Sequence, residues 1–220
     1  MSTISNAASP ATLNLFDSAF GALPLVAILR GIRPAEAEGI GAALYEAGFR
    51  MIEVPLNSPQ PLESIALLAR SLPADALLGA GTVLSVEAVH GVRDAGGKLI
   101  VMPHADTEVI RAAKVAGMYC VPGAATPTEA FACVKAGADA VKLFPAELVT
   151  PPLLRAMRAV LPADLRVLPV GGIAPDTMGE YRAAGAAGFG LGSALYKPGM
   201  SASTVGDNAR AFVRAWREQV

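Results

Sequence analysis

Side chains that bind metals are scarce in this chain. It holds two cysteines, Cys120 and Cys133, and two histidines, His90 and His104, in 220 residues. The histidines lack a paired spacing such as HxxxH, so a zinc site built on His and Cys is not expected and no metal is called for. Two cysteines read as reduced, mostly buried thiols of a cytoplasmic protein. Charge is scarce as well. Only 17% of residues are charged, and 18 basic against 19 acidic side chains leave a net charge of -1. No basic patch and no acidic tail stands out, which argues against a nucleic-acid partner. Long apolar runs are missing too. The longest near the start, "LPLVAIL" at 23–29, is too short to span a bilayer and contains a proline, so no membrane partner is expected. The opening "MSTISNAASPAT" has no basic segment leading into an apolar one, unlike a secretory signal. Residues 1–12 are expected to form a disordered polar tail.

What is present is apolar material. Hydrophobic residues make up 53% of the chain, enough for a large core in one domain over residues 13–220. Eight short, apolar runs recur: "LVAILR" (25–30), "MIEVPL" (51–56), "LLGAGT" (77–82), "LIVMP" (99–103), "YCVPG" (119–123), "AVKLFP" (140–145), "RVLPVG" (166–171) and "GFGLGS" (188–193). Their starts lie 26, 26, 22, 20, 21, 26 and 22 residues apart. Between them run Ala-rich segments with helical periodicity, such as "PAEAEGIGAALYEAG" (34–48). Five of these end in an Ala-Gly pair, at Gly48, Gly96, Gly117, Gly137 and Gly185, the expected left-handed stop before the next strand. Eight strands alternating with helices predict an α/β fold of parallel βαβ units, closed as a (β/α)8 TIM barrel rather than opened into a doubly wound sheet. No GxGxxG follows the first run, which weakens a dinucleotide-binding reading. A helix from Leu13 to Phe20 and a C-terminal one in "VGDNARAFVRAWREQV" would bracket the barrel.

Strand alternation then isolates two charged residues. With Val141 and Leu143 on the helix side, Ala140, Lys142 and Phe144 face inward; with Ile52, Val54 and Leu56 on the helix side, Met51, Glu53 and Pro55 face inward. A structural ion pair is one reading of an inward acid and amine. The other is chemical. Of the five lysines only Lys142 sits in the body of a strand. Burial disfavours its charged form, and a neutral amine can attack a ketone to form a Schiff base. Glu53 is the candidate acid/base for the proton transfers that this chemistry needs. The loops after the seventh and eighth runs carry Gly171–Gly172 and Gly192–Ser193, where backbone N–H groups can approach a phosphate. Arg30 closes the first strand, where a guanidinium can hold a carboxylate, and Thr82 with its neighbouring amides can contact the same anion. His104, after the fourth strand, has no visible partner and reads as a bystander.

Together, "AILRGI", "IEVPLNSPQP", "GAGTVL", "TPTEAF", "AVKLFPAE" and "VGGI" resemble the 2-keto-3-deoxy-6-phosphogluconate/phosphogalactonate aldolases, in order, from Leu23 to Lys197. The resemblance implies a cofactor-free, metal-free class I aldolase on a (β/α)8 barrel, a homotrimer in its usual form. It implies cleavage of a phosphorylated six-carbon keto-deoxy acid to pyruvate and glyceraldehyde 3-phosphate. Lys142 would be the Schiff-base lysine, Glu53 the general acid/base, and Gly171, Gly172, Gly192 and Ser193 the phosphate contacts. The gluconate branch carries "LRT" and a Thr where this chain has "LNS" (56–58) and Val170, while Arg30 in "LRG" is similar to the galactonate branch. Loss of the Thr hydroxyl at Val170 should cost preference for the gluconate epimer. His104 departs from the smaller or amide residue expected after the fourth-strand proline. A gluconate or dual-specific aldolase, an isomerase or epimerase using Glu53 alone, and a non-catalytic phosphosugar binder remain alternatives on these residues.

Overall fold

Each of the eight runs forms a strand, and one of them is split. The computed structural model describes residues 14–218. The strands are β1 (Leu25–Ile28), β2 (Met51–Pro55), β3 (Leu77–Gly81), β4 (Leu99–Val101), β5 (Tyr119–Val121), β6 (Gly123–Ala124), β7 (Val141–Leu143), β8 (Val167–Pro169) and β9 (Phe189–Leu191). Pro122 separates β5 from β6. It has no N–H to give to a ladder, so pairing stops there on the donor side, while its carbonyl still accepts from Lys142 N at 2.9 Å. Before Pro122 the chain pairs with β4, and after it with β7. The result is a parallel six-stranded sheet, β5-β4-β3-β2-β1-β9, and a parallel three-stranded sheet, β6-β7-β8. One further bridge, Val170 to Gly190, links the segments after β8 and within β9.

Helices follow the strands: α2 (Pro34–Ala47), α3 (Pro61–Ser71), α4 (Val86–Asp94), α5 (Thr107–Val115), α6 (Pro127–Ala136), α7 (Pro151–Arg158), α8 (Met178–Ala183) and α9 (Ala202–Glu218). Their ends are chemically marked. Proline opens α2, α3, α6 and α7, where its missing N–H costs no helical bond. At α6 the Thr126 side chain accepts from Glu129 N, and Glu129 reaches back to the Thr126 N–H. All five terminal glycines named above have positive φ, from 72° to 112°. No helix among the described residues is long and apolar enough to cross a membrane.

The strands alternate as expected. Ala27, Ile52, Val54, Ala80, Ile100, Val141 and Leu143 pack in the large cluster shared with the helices. Val26, Met51, Leu77, Leu99, Val101, Val121, Ala140 and Leu168 form a second cluster on the other face. That second cluster is completed by Phe16 and Ala19 from α1 (Leu15–Ala22). Phe16 stacks on Tyr119 with centroids 5.6 Å apart, and Asp17 Oδ1 pairs with Arg166 Nη1 at 2.6 Å. Tyr119 opens β5 and Arg166 precedes β8, so α1 covers the strand starts. Burying Phe16 contributes about 2–3 kcal/mol to that cover.

Both bracketing helices differ from their expected bounds because caps set them. Asn14 accepts from Asp17 N at 2.9 Å, which starts α1 at Leu15, and α1 runs on to Ala22. Ser201 Oγ accepts from Thr204 N at 3.1 Å, so α9 begins earlier than Val205. The expected polar tail, residues 1–12, lies outside the described residues.

Candidate active site

Lys142 sits in the middle of β7, opposite Gly123 and Leu168 in register. Its neighbours Val141 and Leu143 are fully buried on the helix side, so its own side chain takes the inner face. Glu53 takes the same face of β2, in register with Ile28 and Gly79. Both are buried: Lys142 is 6% exposed and Glu53 2%. Neither joins any ion pair among the described residues, and Glu53 Oε2 has no hydrogen-bond partner there. A buried group without a partner is driven towards its neutral form. Burial raises the Glu53 pKa to about 7, against the pull of the Lys142 and Arg30 cations. Burial lowers the Lys142 pKa below the ordinary amine value; Glu53 opposes that shift and Arg30 adds to it. The ammonium also lies 4.7 Å from the centroid of the Phe144 ring.

Room for the Glu53 carboxylate comes from Gly81. A Cβ built there would lie 1.5 Å from Glu53 Oε2. The sequence suggests an anion contact for Thr82 and its neighbouring amides but not this role for Gly81. The signal was a glycine inside an otherwise apolar strand, which marks a close approach. Gly190 does the same for Val170: a Cβ there would lie 2.6 Å from Val170 Cγ2.

Above Lys142 opens a cavity of about 340 Å³. Seven of the nine predicted site residues line it: Arg30, Lys142, Val170, Gly171, Gly172, Gly192 and Ser193. Glu53 lies instead at a small space of about 10 Å³, which Lys142 and Val170 also line. Lys142 thus faces both spaces. Thr82 lines neither. It follows β3 with φ 55°, a left-handed backbone uncommon for a β-branched residue, which takes it out of the strand's alternation. His104 is exposed and also lines neither space; its nearest carboxylate is Asp106, at 4.0 Å.

The loops explain the rest of the rim. Gly171 and Gly172 have φ 120° and 60°, conformations open to glycine, which turn the backbone after β8. Arg30 Nη1 donates to Asn57 Oδ1 at 2.8 Å, and Gly31 N donates to Ser58 Oγ at 2.9 Å. The "LNS" segment therefore orients Arg30 across the β1–β2 pair. Phe144, expected to face inward, lines the cavity, and so do Glu147, Tyr196 and Lys197, to which the sequence assigns no site role. Those three lie beyond strand ends, where alternation no longer tells a side chain's direction.

Comparison with known proteins agrees with this geometry. The family model described as KDPG and KHG aldolase matches residues 16–209. A probable 2-dehydro-3-deoxy-6-phosphogalactonate aldolase of Rhizobium meliloti (strain 1021) is 50% identical over 193 residues, 88% of this chain and 91% of that protein. The 2-dehydro-3-deoxy-6-phosphogalactonate aldolase of Escherichia coli (strain K12) is 48% identical over 198 residues, 90% of this chain and 97% of that protein. A solved native KDPGal structure superposes with a TM-score of 0.88 at 47% identity, covering 90% of this chain and 96% of that one. By fold, by the contents of its cavity and by these likenesses, the chain belongs to the KDPG and KHG aldolase family.

Proposed function

We propose that this protein is a class I aldolase that cleaves 2-dehydro-3-deoxy-6-phospho-D-galactonate to pyruvate and D-glyceraldehyde 3-phosphate. The observation that carries the reading is a buried lysine outside any ion pair among the described residues, with lowered proton affinity, in a cavity that two glycine loops also line. Lys142 Nζ, as the neutral amine, attacks the C2 ketone and gives a carbinolamine. Loss of water leaves an iminium. The C3–C4 electron pair then moves towards the iminium nitrogen, the C4 hydroxyl gives up its proton, and glyceraldehyde 3-phosphate departs. The enamine left on Lys142 is protonated at C3, and hydrolysis releases pyruvate and the free amine.

Glu53 is the acid/base for these transfers. Its pKa of about 7 lets it exist in both forms at neutral pH. It works through a water: the space of about 10 Å³ between Glu53, Lys142 and Val170 is about one probe sphere in size, and it offers two polar partners. Arg30 binds the substrate carboxylate, with Thr82 as a further contact; its strained backbone supports a binding role. Gly171, Gly172, Gly192 and Ser193 receive the phosphate. Val170, buried at the wall and lacking a hydroxyl, supports the galactonate epimer over the gluconate one.

The same reading treats the two sheets as arcs of one (β/α)8 barrel over residues 13–220. The Val170–Gly190 bridge and the unbroken chain through Pro122 support closure. It takes the assembly as a cytoplasmic homotrimer, with exposed Phe131, Leu148 and Leu153 as apolar surface for association. Borohydride reduction in the presence of pyruvate, followed by peptide mass spectrometry, tests the chemistry. An adduct on Lys142 is expected; an unmodified Lys142 would end the proposal.

A further inference from the structure

The cavity contains an electrostatic conflict. Gly171 and Gly172 form the proposed phosphate cradle, and the Glu147 carboxylate lies against them. A Cβ added at Gly171 would sit 2.4 Å from Glu147 Oε2, and one at Gly172 would sit 3.3 Å from Oε1. Glu147 joins no ion pair among the described residues. A phosphate dianion in this cradle meets that carboxylate as a like charge. Backbone N–H groups answer with partial charges only. A full cation lining the cavity would offset that repulsion.

Two cations besides Lys142 line the cavity, Arg30 and Lys197. Arg30 is engaged at the reacting end. It donates to Asn57, and its charge acts on both Glu53 and Lys142. Lys197 follows the loop that carries Gly192 and Ser193, and its own segment lines the cavity. The N–H groups of Leu195 and Tyr196 both donate to Gly192 O, at 2.9 and 3.0 Å, so one tight turn joins the Gly192–Ser193 loop to Lys197. The Tyr196 side chain, 3% exposed, anchors that turn in the protein. Lys197 is exposed and joins no ion pair among the described residues.

We propose that Lys197 is the counter-ion for the phosphate end of the substrate, set against the opposing charge of Glu147. The proposal rests on the aldolase reading for the identity of the ligand, and its test separates the two. Inorganic phosphate is titrated calorimetrically into wild type, Lys197→Gln, Lys197→Arg and Glu147→Gln. Binding should weaken about tenfold in Lys197→Gln, as for loss of one charge-assisted contact, recover in Lys197→Arg, and tighten in Glu147→Gln. In turnover, Lys197→Gln should raise KM for the phosphorylated keto acid with kcat unchanged. Its activity on the dephosphorylated analogue should equal that of wild type. Wild-type phosphate binding in Lys197→Gln, or equal losses on both substrates, would overturn the proposal. Lysine-dependent phosphate binding in an enzyme that forms no pyruvate adduct would uphold Lys197 and refute only the aldolase reading.

Discussion

Replacing Gly81 by alanine should disable the enzyme without unfolding it. The added Cβ would lie 1.5 Å from Glu53 Oε2 and 2.3 Å from its carboxyl carbon, far inside contact distance. The obstacle is the far end of a side chain, so the carboxylate can rotate away while the strand stays in place. Gly81 has no positive φ, so alanine is tolerated by the backbone itself. Overpacking of this kind costs about 1–3 kcal/mol, or about 2–12 °C in Tm for a domain of this size. The catalytic cost is larger. A displaced acid/base forfeits about 10²–10⁴ in rate. Gly79→Ala is the control. There the Cβ would lie 1.8 Å from the Leu99 carbonyl oxygen, a backbone atom of the paired strand, which cannot rotate away. That variant should be the less stable of the two by a clear margin. Pyruvate release and thermal melts on both variants check the argument. Wild-type kcat in Gly81→Ala, or a Gly79→Ala protein as stable as wild type, would refute the steric reasoning.

Three further outcomes follow. Lys142→Met should abolish cleavage and borohydride trapping, yet melt no lower than wild type, because it replaces a desolvated amine by an apolar side chain of similar shape; calorimetry and the trapping assay check both halves. Glu53 ionises near pH 4.5 when unfolded and near 7 when folded, so the unfolded state sheds its proton first as pH rises. Its contribution to stability is therefore complete below about pH 4.5, declines by a few kcal/mol in order of magnitude up to about pH 7, and is constant above; denaturation series at several pH values should lose this slope in Glu53→Gln. Val170→Thr should shift the ratio of kcat/KM for the two epimers towards the gluconate compound by about tenfold or more, measured on both substrates.

The strand period makes the inward pair of Lys142 and Glu53 legible in the sequence. Val141 and Leu143 are apolar on both sides of Lys142, and Ile52 and Val54 on both sides of Glu53, so alternation alone turns both charges to one face. The glycine stops were legible for a similar reason, since a left-handed residue after a helix has few chemical solutions. Other features depended on distance in space. The split at Pro122 arises because one short segment pairs with β4 before the proline and with β7 after it, and the sequence alone does not say where a strand changes partner. The role of Gly81 depends on where the Glu53 carboxylate ends, two strand positions away on a neighbouring chain segment. Glu147 and Lys197 come from loops, whose side-chain directions have no period to follow.

The proton inventory of the cavity ties these residues to one chemistry. In water at neutral pH, Lys142 and Glu53 would both be ionised, and an ammonium has no lone pair with which to attack a ketone. Burial opposes both charges, so it moves the amine towards its nucleophilic form and holds the acid near its midpoint. Their mutual attraction pushes the other way. Without a direct ion pair, that attraction opposes burial without cancelling it. Arg30 then breaks the symmetry. One cation lowers both pKa values, which favours a neutral amine and an ionised carboxylate together. That is the combination the proposed mechanism needs at its start, when Nζ is to attack and a base is to accept its proton. After dehydration the requirement reverses, because the enamine must be protonated at C3. A carboxyl with its midpoint near pH 7 can return the proton it took, and a carboxyl at the ordinary value near 4.5 would hold it too weakly to accept it first.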